Sequence, residues 1–197
     1  MTIFPTAYFG SISYFKSLCR AEFPLIEAKE HFMKQTCRTR CSILGANGEQ
    51  QLSIPVFRKN GSKTAIDEVE ISSAEQWQKI HWKSIESAYA SAPFFEDYDR
   101  ELKELIFQEE TNLLRFNALV TEKVFALLDI SFTCNFTEKF QGANKKNNLC
   151  SHDFELPAPI KPYFQVFSDR DEFKPNLSIL DVLFNEGPMA RNWLLDN

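Results

Sequence analysis

The chain of 197 residues contains none of the short signatures that identify a reaction from sequence alone. With only six glycines, it has neither a G-x-G-x-x-G dinucleotide loop nor a phosphate-binding P-loop. The H-E-x-x-H zinc motif, the G-x-S-x-G nucleophile turn and a C-x-x-C pair are also absent. The sequence therefore indicates no particular cofactor or metal, and its chemistry has to be sought in less specific patterns.

An excess of positive charge and long apolar runs are missing as well. The formal net charge is −5, whereas nucleic acids and anionic membranes are bound through concentrated Lys and Arg. No run approaches the roughly 18 apolar residues of a membrane span. The N-terminus lacks a basic start and a small-residue cleavage site, so no signal peptide is expected. We therefore expect a cytoplasmic protein that neither spans a membrane nor binds nucleic acid.

The cysteines are odd in number, and their spacing fits no zinc framework. They are Cys19, Cys37, Cys41, Cys134 and Cys150. This pattern is typical of reduced and mostly buried thiols in a cytoplasmic protein.

Phenylalanine is the abundant residue, with 19 copies in a chain of 44% hydrophobic residues. The length suits one domain over residues 1–197, with a core rich in aromatic side chains. We predict an α+β fold in which a mixed sheet, built on an N-terminal hairpin, packs against helices within residues 73–129. The alternative is an α/β arrangement with a parallel strand pair that involves residues 3–9.

Residues 34–56 predict a β-hairpin whose two faces differ. Asn47-Gly48 is a two-residue loop typical of a type I′ turn. The register that this loop sets gives an apolar face, which pairs Ile43 with Leu52 and Cys41 with Ile54. The opposite face is polar and carries Arg38, Arg40 and Ser42.

The other predicted elements follow from caps and alternation. Ser11 is expected to cap a first helix, and Ser72-x-x-Glu75 has the spacing of a capping box. Residues 131–140 and 162–167 predict strands on either side of a polar loop at 141–161. A last helix is expected to begin at the cap Asn176 and to end at Gly187.

Four polar residues are candidates for chemistry. Arg38 and Arg40 lie one pleat apart, so their guanidinium groups could bind one phosphate or carboxylate, or could be ordinary exposed arginines. His81 and Asn117 fall on apolar helix faces. There His81 is either a general base at a pocket wall or a core histidine with satisfied hydrogen bonds, and Asn117 raises the same question.

Four stretches together resemble the WbqC-like family, in its short bacterial branch. They are YFGSISYF at 8–15, EHFMKQTCRTRCSILGANGEQQLSIPV at 30–56, WQKIHWKSIESAYASAPFFEDY at 77–98 and PYFQVFSDRDEFKPNLSILDVLFNEGP at 162–188. The resemblance runs nearly from end to end. This chain differs in having Thr39 where the family usually has Asn, and the 141–161 loop where longer members carry a glycine-containing segment.

The resemblance implies a set of site residues. His81 would be the catalytic residue, and the substrate would be bound by Gln35, Arg38, Arg40, Tyr89, Tyr98, Asn117, Gln165 and Asn176. The family takes its name from a protein of O-antigen gene clusters. The resemblance therefore implies a role in bacterial surface-polysaccharide biosynthesis.

Three functions remain open at this stage. The first is a transferase or sugar-modifying protein that acts on a phosphorylated or nucleotide-activated small molecule. The second is a non-catalytic ligand-binding or scaffold protein of the same pathway. The third is a protein with structural polar residues, whose role is partner contact through an exposed Phe patch. The expected partner is an anionic small molecule, and self-association into a homo-oligomer is left open.

Overall fold

The computed structural model describes residues 1–142, 161–170 and 172–195. Its strands are β1 (Thr2–Phe4), β2 (Pro24–Ile26), β3 (Arg40–Gly45), β4 (Gly48–Ser53), β5 (Val56–Phe57) and β6 (Glu70–Ile71). Its helices are α1 (Ile12–Arg20), α2 (Trp77–Tyr89), α3 (Phe95–Ile106), α4 (Leu113–Leu127), α5 (Ile179–Glu186) and α6 (Ala190–Leu195). The α+β class is confirmed.

The described strands form three two-stranded sheets rather than one mixed sheet. β1 and β2 are parallel, with Ile3 beside Leu25. β5 and β6 are antiparallel, as are β3 and β4. A parallel pair near the N-terminus was part of the α/β alternative, and it occurs here within the α+β fold.

The hairpin of β3 and β4 forms as predicted, but its register is shifted. Cys41 pairs with Leu52 and Ile43 with Gln50, because the two-residue loop is Ala46-Asn47 and not Asn47-Gly48. Gly48 follows the loop with φ 98°, a conformation that glycine adopts without a steric penalty. The partner of each residue moves by two positions, so every side chain keeps the face that the sequence predicted.

Helix α2 packs against the apolar face of the hairpin through polar contacts at its rim as well as through its core side chains. Gln50 Nε2 donates to Ser84 Oγ at 3.0 Å. The backbone amide of Leu44 donates to the Tyr89 hydroxyl at 3.4 Å. These contacts fix the helix on one side of β3, which leaves the other side for the segments that precede α1 and α5.

The core is aromatic, as the phenylalanine content predicted. Tyr8 is fully buried and lies at its centre, with ring centroids 4.9 Å from Phe9, 6.2 Å from Trp77 and 6.1 Å from Phe116. Such edge-to-face and offset pairs add to the area that these large side chains bury. Residues 8 and 9 thereby anchor the turn that leads into α1.

Two of the predicted helix starts were wrong. Ser72 caps nothing in α2, which begins after Gln76 without a side-chain cap, and Ser72 Oγ accepts instead from the amide of Ala74. The helix expected to begin at Asn176 is α5, which is capped by Ser178 instead and ends before Gly187 as predicted; α6 follows it. Ser11 caps α1 as predicted, accepting from the amide of Tyr14 at 3.3 Å.

The two late strands are also absent from the described part of the chain. Residues 131–140 contribute only a single bridge, between Phe136 and Ile26, and residues 162–167 are irregular. Positions 143–160 of the predicted 141–161 loop lie outside the described residues.

Candidate functional site

An open cleft of about 220 Å³ lies beside the polar face of the hairpin, where the approaches to α1 and α5 meet β3. Its described lining consists of Phe9, Ser11, Tyr14, Gln35, Thr36, Cys37, Arg40, Cys41, Ser42, Gln51, Asn176 and Ser178. Gln35, Arg40 and Asn176 were named from the sequence as substrate-binding residues. The structure therefore brings three of the predicted site residues together.

The hairpin supplies one wall through strand alternation. Arg40 and Ser42 are two residues apart on β3, so their side chains share a face. Gln51 lies directly across from Ser42 on β4 and adds an amide to the same wall. The position of Ser42 as a cleft residue follows from the alternation of the hairpin, once Arg40 is recognised.

The opposite wall is built by the caps of two helices. Ser11 precedes α1 and Ser178 precedes α5, and the two form an isolated antiparallel bridge. The amide of Ser178 donates to the carbonyl oxygen of Ser42 at 2.8 Å, which attaches this wall to the free edge of β3. The Ser178 hydroxyl donates to the carbonyl of Phe9 at 2.8 Å.

The first-turn amides of both helices already have acceptors. In α1 the amide of Ile12 donates to the Leu177 carbonyl and that of Ser13 to Asn176 Oδ1, each at 3.0 Å. In α5 the amide of Ile179 donates to the Gly10 carbonyl at 2.9 Å. The two helix dipoles therefore favour an anion in the cleft through their field, while donors to it have to come from side chains.

The backbone around the cleft is unusual. Four described residues other than glycine have a positive φ, and three of them line the cleft: Phe9 at 38°, Gln35 at 61° and Asn176 at 60°. Asparagine adopts this region readily, but a side chain such as Gln or Phe seldom does. Such conformations cost about 1–3 kcal/mol each and are concentrated at functional sites.

Arg40 is the only charged side chain among the described residues of the lining. It is half-buried, and its guanidinium group makes no hydrogen bond or ion pair within the described part of the chain. Gln35, Ser42 and Gln51 likewise have side chains without a hydrogen-bond partner among the described residues. The cleft thus offers one cation and several neutral polar groups to a ligand.

Arg38 does not join Arg40, and the predicted convergence of the two arginines was wrong. Arg38 is 1% exposed, and its Nε and Nη2 donate to Glu30 at 2.7 and 2.6 Å. Its Nη1 also donates to Thr36 Oγ1 at 3.2 Å. Residue 38 lies in a turn before β3 begins at Arg40, so strand alternation does not apply to it.

Asn117 is a neighbour of Arg38 rather than of the cleft. Its Nδ2 donates to the Arg38 carbonyl at 2.8 Å, and it is fully buried on α4. Its Oδ1 has no partner among the described residues. Asn117 therefore helps to hold the buried pair of Arg38 and Glu30 in place.

His81 is buried in the core, 3% exposed, with both ring nitrogens engaged. The Tyr8 hydroxyl donates to Nδ1 at 2.9 Å, and Nε2 donates to the Ser53 carbonyl at 3.3 Å, as a neutral ring with its proton on Nε2 requires. Burial lowers the pKa of His81 from 6.5 to about 4. His81 does not line the cleft, and its catalytic role stays a prediction.

Tyr89 and Gln165 meet at a second polar cluster, centred on Asp181. The Tyr89 hydroxyl donates to Asp181 Oδ1 at 3.0 Å, while Gln165 Nε2 and the Tyr163 hydroxyl donate to Oδ2 at 2.8 and 2.5 Å. Asp181 is 1% exposed, and burial raises its pKa. Gln165 also exchanges two hydrogen bonds of 3.0 Å with the backbone of Lys174.

The Asp181 cluster was missed by the sequence reading, although a signal was present. Asp181 is the only acidic residue in the apolar run ILDVLF of α5, where a charged side chain needs buried partners.

Tyr98, the remaining predicted site residue, is buried on α3 and does not line the cleft. Burial raises the pKa of Tyr98.

Neither a cluster of metal-ligating side chains nor a membrane-spanning helix occurs in the described part of the chain. No group of three or more His, Cys, Asp or Glu side chains there could hold a metal ion. No helix within the described ranges is both long enough and apolar enough to cross a membrane.

Comparison with known proteins places this architecture in a family. The chain is 25% identical over 211 aligned residues to a Mycobacterium tuberculosis protein named Uncharacterized protein Rv1507c, covering 92% of this chain and 91% of that one. No solved structure shows a significant match. The model of the WbqC-like protein family matches residues 6–156, which include the hairpin and much of the cleft. The chain therefore belongs to the WbqC-like protein family.

Proposed function

We propose that the protein binds a phosphorylated or nucleotide-activated small molecule in the cleft, in a transfer or sugar-modification step of bacterial surface-polysaccharide biosynthesis. The observation that carries the proposal is the half-buried Arg40, which has no anionic partner within the described residues but faces a polar cleft. The pathway is suggested by the family, which takes its name from a protein of O-antigen gene clusters.

The electrostatics of the cleft support an anionic ligand. A guanidinium group that has lost part of its hydration gains most from a bidentate phosphate or carboxylate. The described lining contains no Asp or Glu that would repel such a ligand, and the dipoles of α1 and α5 point their positive ends towards it.

The strained backbone is a second support. Gln35 directs an amide without a partner among the described residues into the cleft, from a conformation that costs free energy. A conformation of this kind persists where the surrounding structure enforces it, and a binding residue held in place before the ligand arrives is one reason for it.

A non-catalytic ligand-binding role is the second candidate, and one observation favours it. The described lining contains no His, Asp or Glu, and burial strongly raises the pKa of its Cys41 thiol. His81, the predicted catalyst, is in the core and would have to become exposed to move a proton of a bound substrate. Turnover of an activated sugar would favour the transferase, and tight binding without turnover would favour the binding protein.

The test is the melting temperature in the presence of a panel of anionic small molecules, comprising sugar phosphates, nucleotide sugars, nucleotides and acyl-CoAs. A ligand at 100 times its Kd adds about 2.7 kcal/mol of stability, or a shift of roughly 5–10 °C for a chain of this size. The shift should disappear in Arg40→Met.

The matched control for this panel is Arg115→Met, which removes the same charge from an exposed position on α4. Arg115 lies outside the cleft, and its side chain makes no hydrogen bond or ion pair with any described residue. A shift that survives in Arg40→Met, or no shift with any compound, would contradict the anion-binding function and favour partner contact.

A further inference from the structure

The volume and lining of the cleft indicate the size and charge of its ligand, on the premise that the cleft is the anion-binding site proposed above. Its volume of about 220 Å³ is below the roughly 300–1,000 Å³ of pockets that enclose a drug-sized molecule. A nucleoside diphosphate sugar joins a base, a ribose, two phosphates and a sugar ring. Only a part of such a molecule would be enclosed.

The charge of the lining matches a single anionic group. Arg40 is the one cation of the described lining, whereas a diphosphate presents two negative charges to its site. Sites that hold diphosphates commonly add a Mg²⁺ ion bound through one or two carboxylates, and the described lining contains no Asp or Glu. One phosphate or carboxylate is what Arg40 can neutralise by itself.

The aromatic residues of the cleft do not offer a surface for a nucleobase. Phe9 and Tyr14 are the aromatic residues of the described lining, and they are 0% and 1% exposed. Their rings pack in the core, and the Tyr14 hydroxyl donates to the Pro5 carbonyl at 2.9 Å. Stacking of a base on an aromatic ring, which contributes about 1–3 kcal/mol, therefore has no platform in this part of the cleft.

The remaining polar groups of the lining suit a ligand that carries several hydroxyl groups. Ser42 and Gln51 are cross-strand partners, and Gln35 lies on the adjoining segment. Their side chains make no hydrogen bond to any other described residue, so a hydroxyl and two amides can bind a ligand without breaking an existing contact. Both hydrogen-bond donors and acceptors are offered, which is what the hydroxyl groups of a sugar ring require.

We infer that the cleft recognises a compact sugar derivative with one anionic group, about the size of a monosaccharide, whose phosphate or carboxylate binds Arg40 and whose hydroxyl groups bind Ser42, Gln51 and Gln35. A nucleotide attached to such a sugar adds nothing to binding in the cleft. Sugar monophosphates and sugar acids both carry such an anionic group, and the experiment distinguishes between these two classes of ligand.

The test is calorimetric titration of the full chain with matched compounds. The probes are inorganic phosphate, glucose 1-phosphate, N-acetylglucosamine 1-phosphate, glucuronate, UMP and the two corresponding UDP-sugars. We expect one sugar monophosphate or the sugar acid to bind at least tenfold more tightly than phosphate. UMP should bind no more tightly than phosphate, and neither UDP-sugar more tightly than its sugar phosphate. Ser42→Ala should weaken the sugar derivative about fivefold and leave phosphate unchanged.

The outcomes separate this inference from the function on which it rests. If a UDP-sugar binds tenfold more tightly than its sugar phosphate, or UMP binds tenfold more tightly than inorganic phosphate, the nucleotide is recognised. The inference then fails, while the proposed anion-binding function stands. If no probe binds, or if Arg40→Met binds all of them as the unchanged protein does, both fail.

Discussion

Ser13 donates two hydrogen bonds to a single atom of Asn176: its amide lies 3.0 Å and its hydroxyl 2.6 Å from Oδ1. The pair joins α1 to the segment before α5 across most of the chain, and it holds Asn176 at the edge of the cleft in a left-handed conformation. The same contact therefore closes the fold and shapes the site.

Replacement of Asn176 should separate its backbone role from its side-chain role. Asn176→Gly keeps the left-handed φ at no steric cost and loses the contacts of the side chain, among them the two hydrogen bonds from Ser13. Asn176→Ala loses these bonds and adds conformational strain. We expect urea unfolding to give a free energy of unfolding about 1 kcal/mol lower for the Ala variant than for the Gly variant. Equal values would show that the backbone conformation is not retained.

Arg38 and Arg40 should lose very different amounts of stability on the same substitution. Arg38→Met leaves Glu30 buried without its bidentate partner, which should cost about 3–5 kcal/mol of stability. Arg40→Met removes no hydrogen bond or ion pair to a described residue and should change stability by less than about 1 kcal/mol. Chemical unfolding of both variants tests this, and a large loss of stability in Arg40→Met would show that Arg40 is structural.

His81 should make the stability depend on pH between about 6.5 and 4. The unfolded chain takes up a proton on this ring near pH 6.5, but the folded chain only near pH 4. In this interval the unfolded state binds more protons, so the free energy of unfolding falls as the pH drops, by up to about 3 kcal/mol for a shift of this size. Urea unfolding at pH 7 and pH 4.5 measures the effect.

The control for this pH dependence is a pair of histidine variants. His81→Asn should lose this part of the dependence, whereas His31→Asn, at an exposed position, should keep it. An NMR titration in which the His81 ring protonates near pH 6.5 would contradict the buried, neutral state.

The side chain of Gln35 should matter for binding more than for stability. Gln35→Gly relieves the left-handed strain but gives the unfolded chain more freedom, so the free energy of unfolding should change by no more than about 1 kcal/mol. Binding of the cleft ligand should nevertheless weaken, because the amide is lost. If calorimetry shows unchanged affinity in a stably folded Gln35→Gly variant, the side chain does not contact the ligand.

The local part of this structure was predictable from the sequence. Ser11 accepts a hydrogen bond from the amide of Tyr14, as its predicted role as a helix cap requires. The alternation of β3 places Arg40 and Ser42 on one polar face. The polar face was predicted correctly although the turn was not, because a shift of the strand pairing by two residues keeps every side chain on the same face. Periodicity and caps act over a few residues, and they predicted these two features, whereas the caps expected at Ser72 and Asn176 were wrong.

The long-range contacts were not predictable in this way. Arg38 sits outside the strand, and its burial depends on Glu30 lying beside it in the folded chain. His81 is neutral because its ring is buried by packing against distant residues, among them Tyr8, 73 residues away, whose hydroxyl donates to Nδ1. The resemblance to the family named Gln35 and Asn176 as site residues, but only the packing of α1 and α5 against β3 brings them to the cleft of Arg40.

The affinity of the protein for glucose 1-phosphate or its best-bound analogue, measured for Arg40→Lys, Arg40→Met and Arg115→Met, tests the central claim most directly. We predict unchanged affinity in Arg115→Met, a loss of at least tenfold in Arg40→Met, and an intermediate loss in Arg40→Lys, because lysine keeps the charge but not the bidentate geometry. Affinity that is equal in Arg40→Met and Arg115→Met would contradict the account.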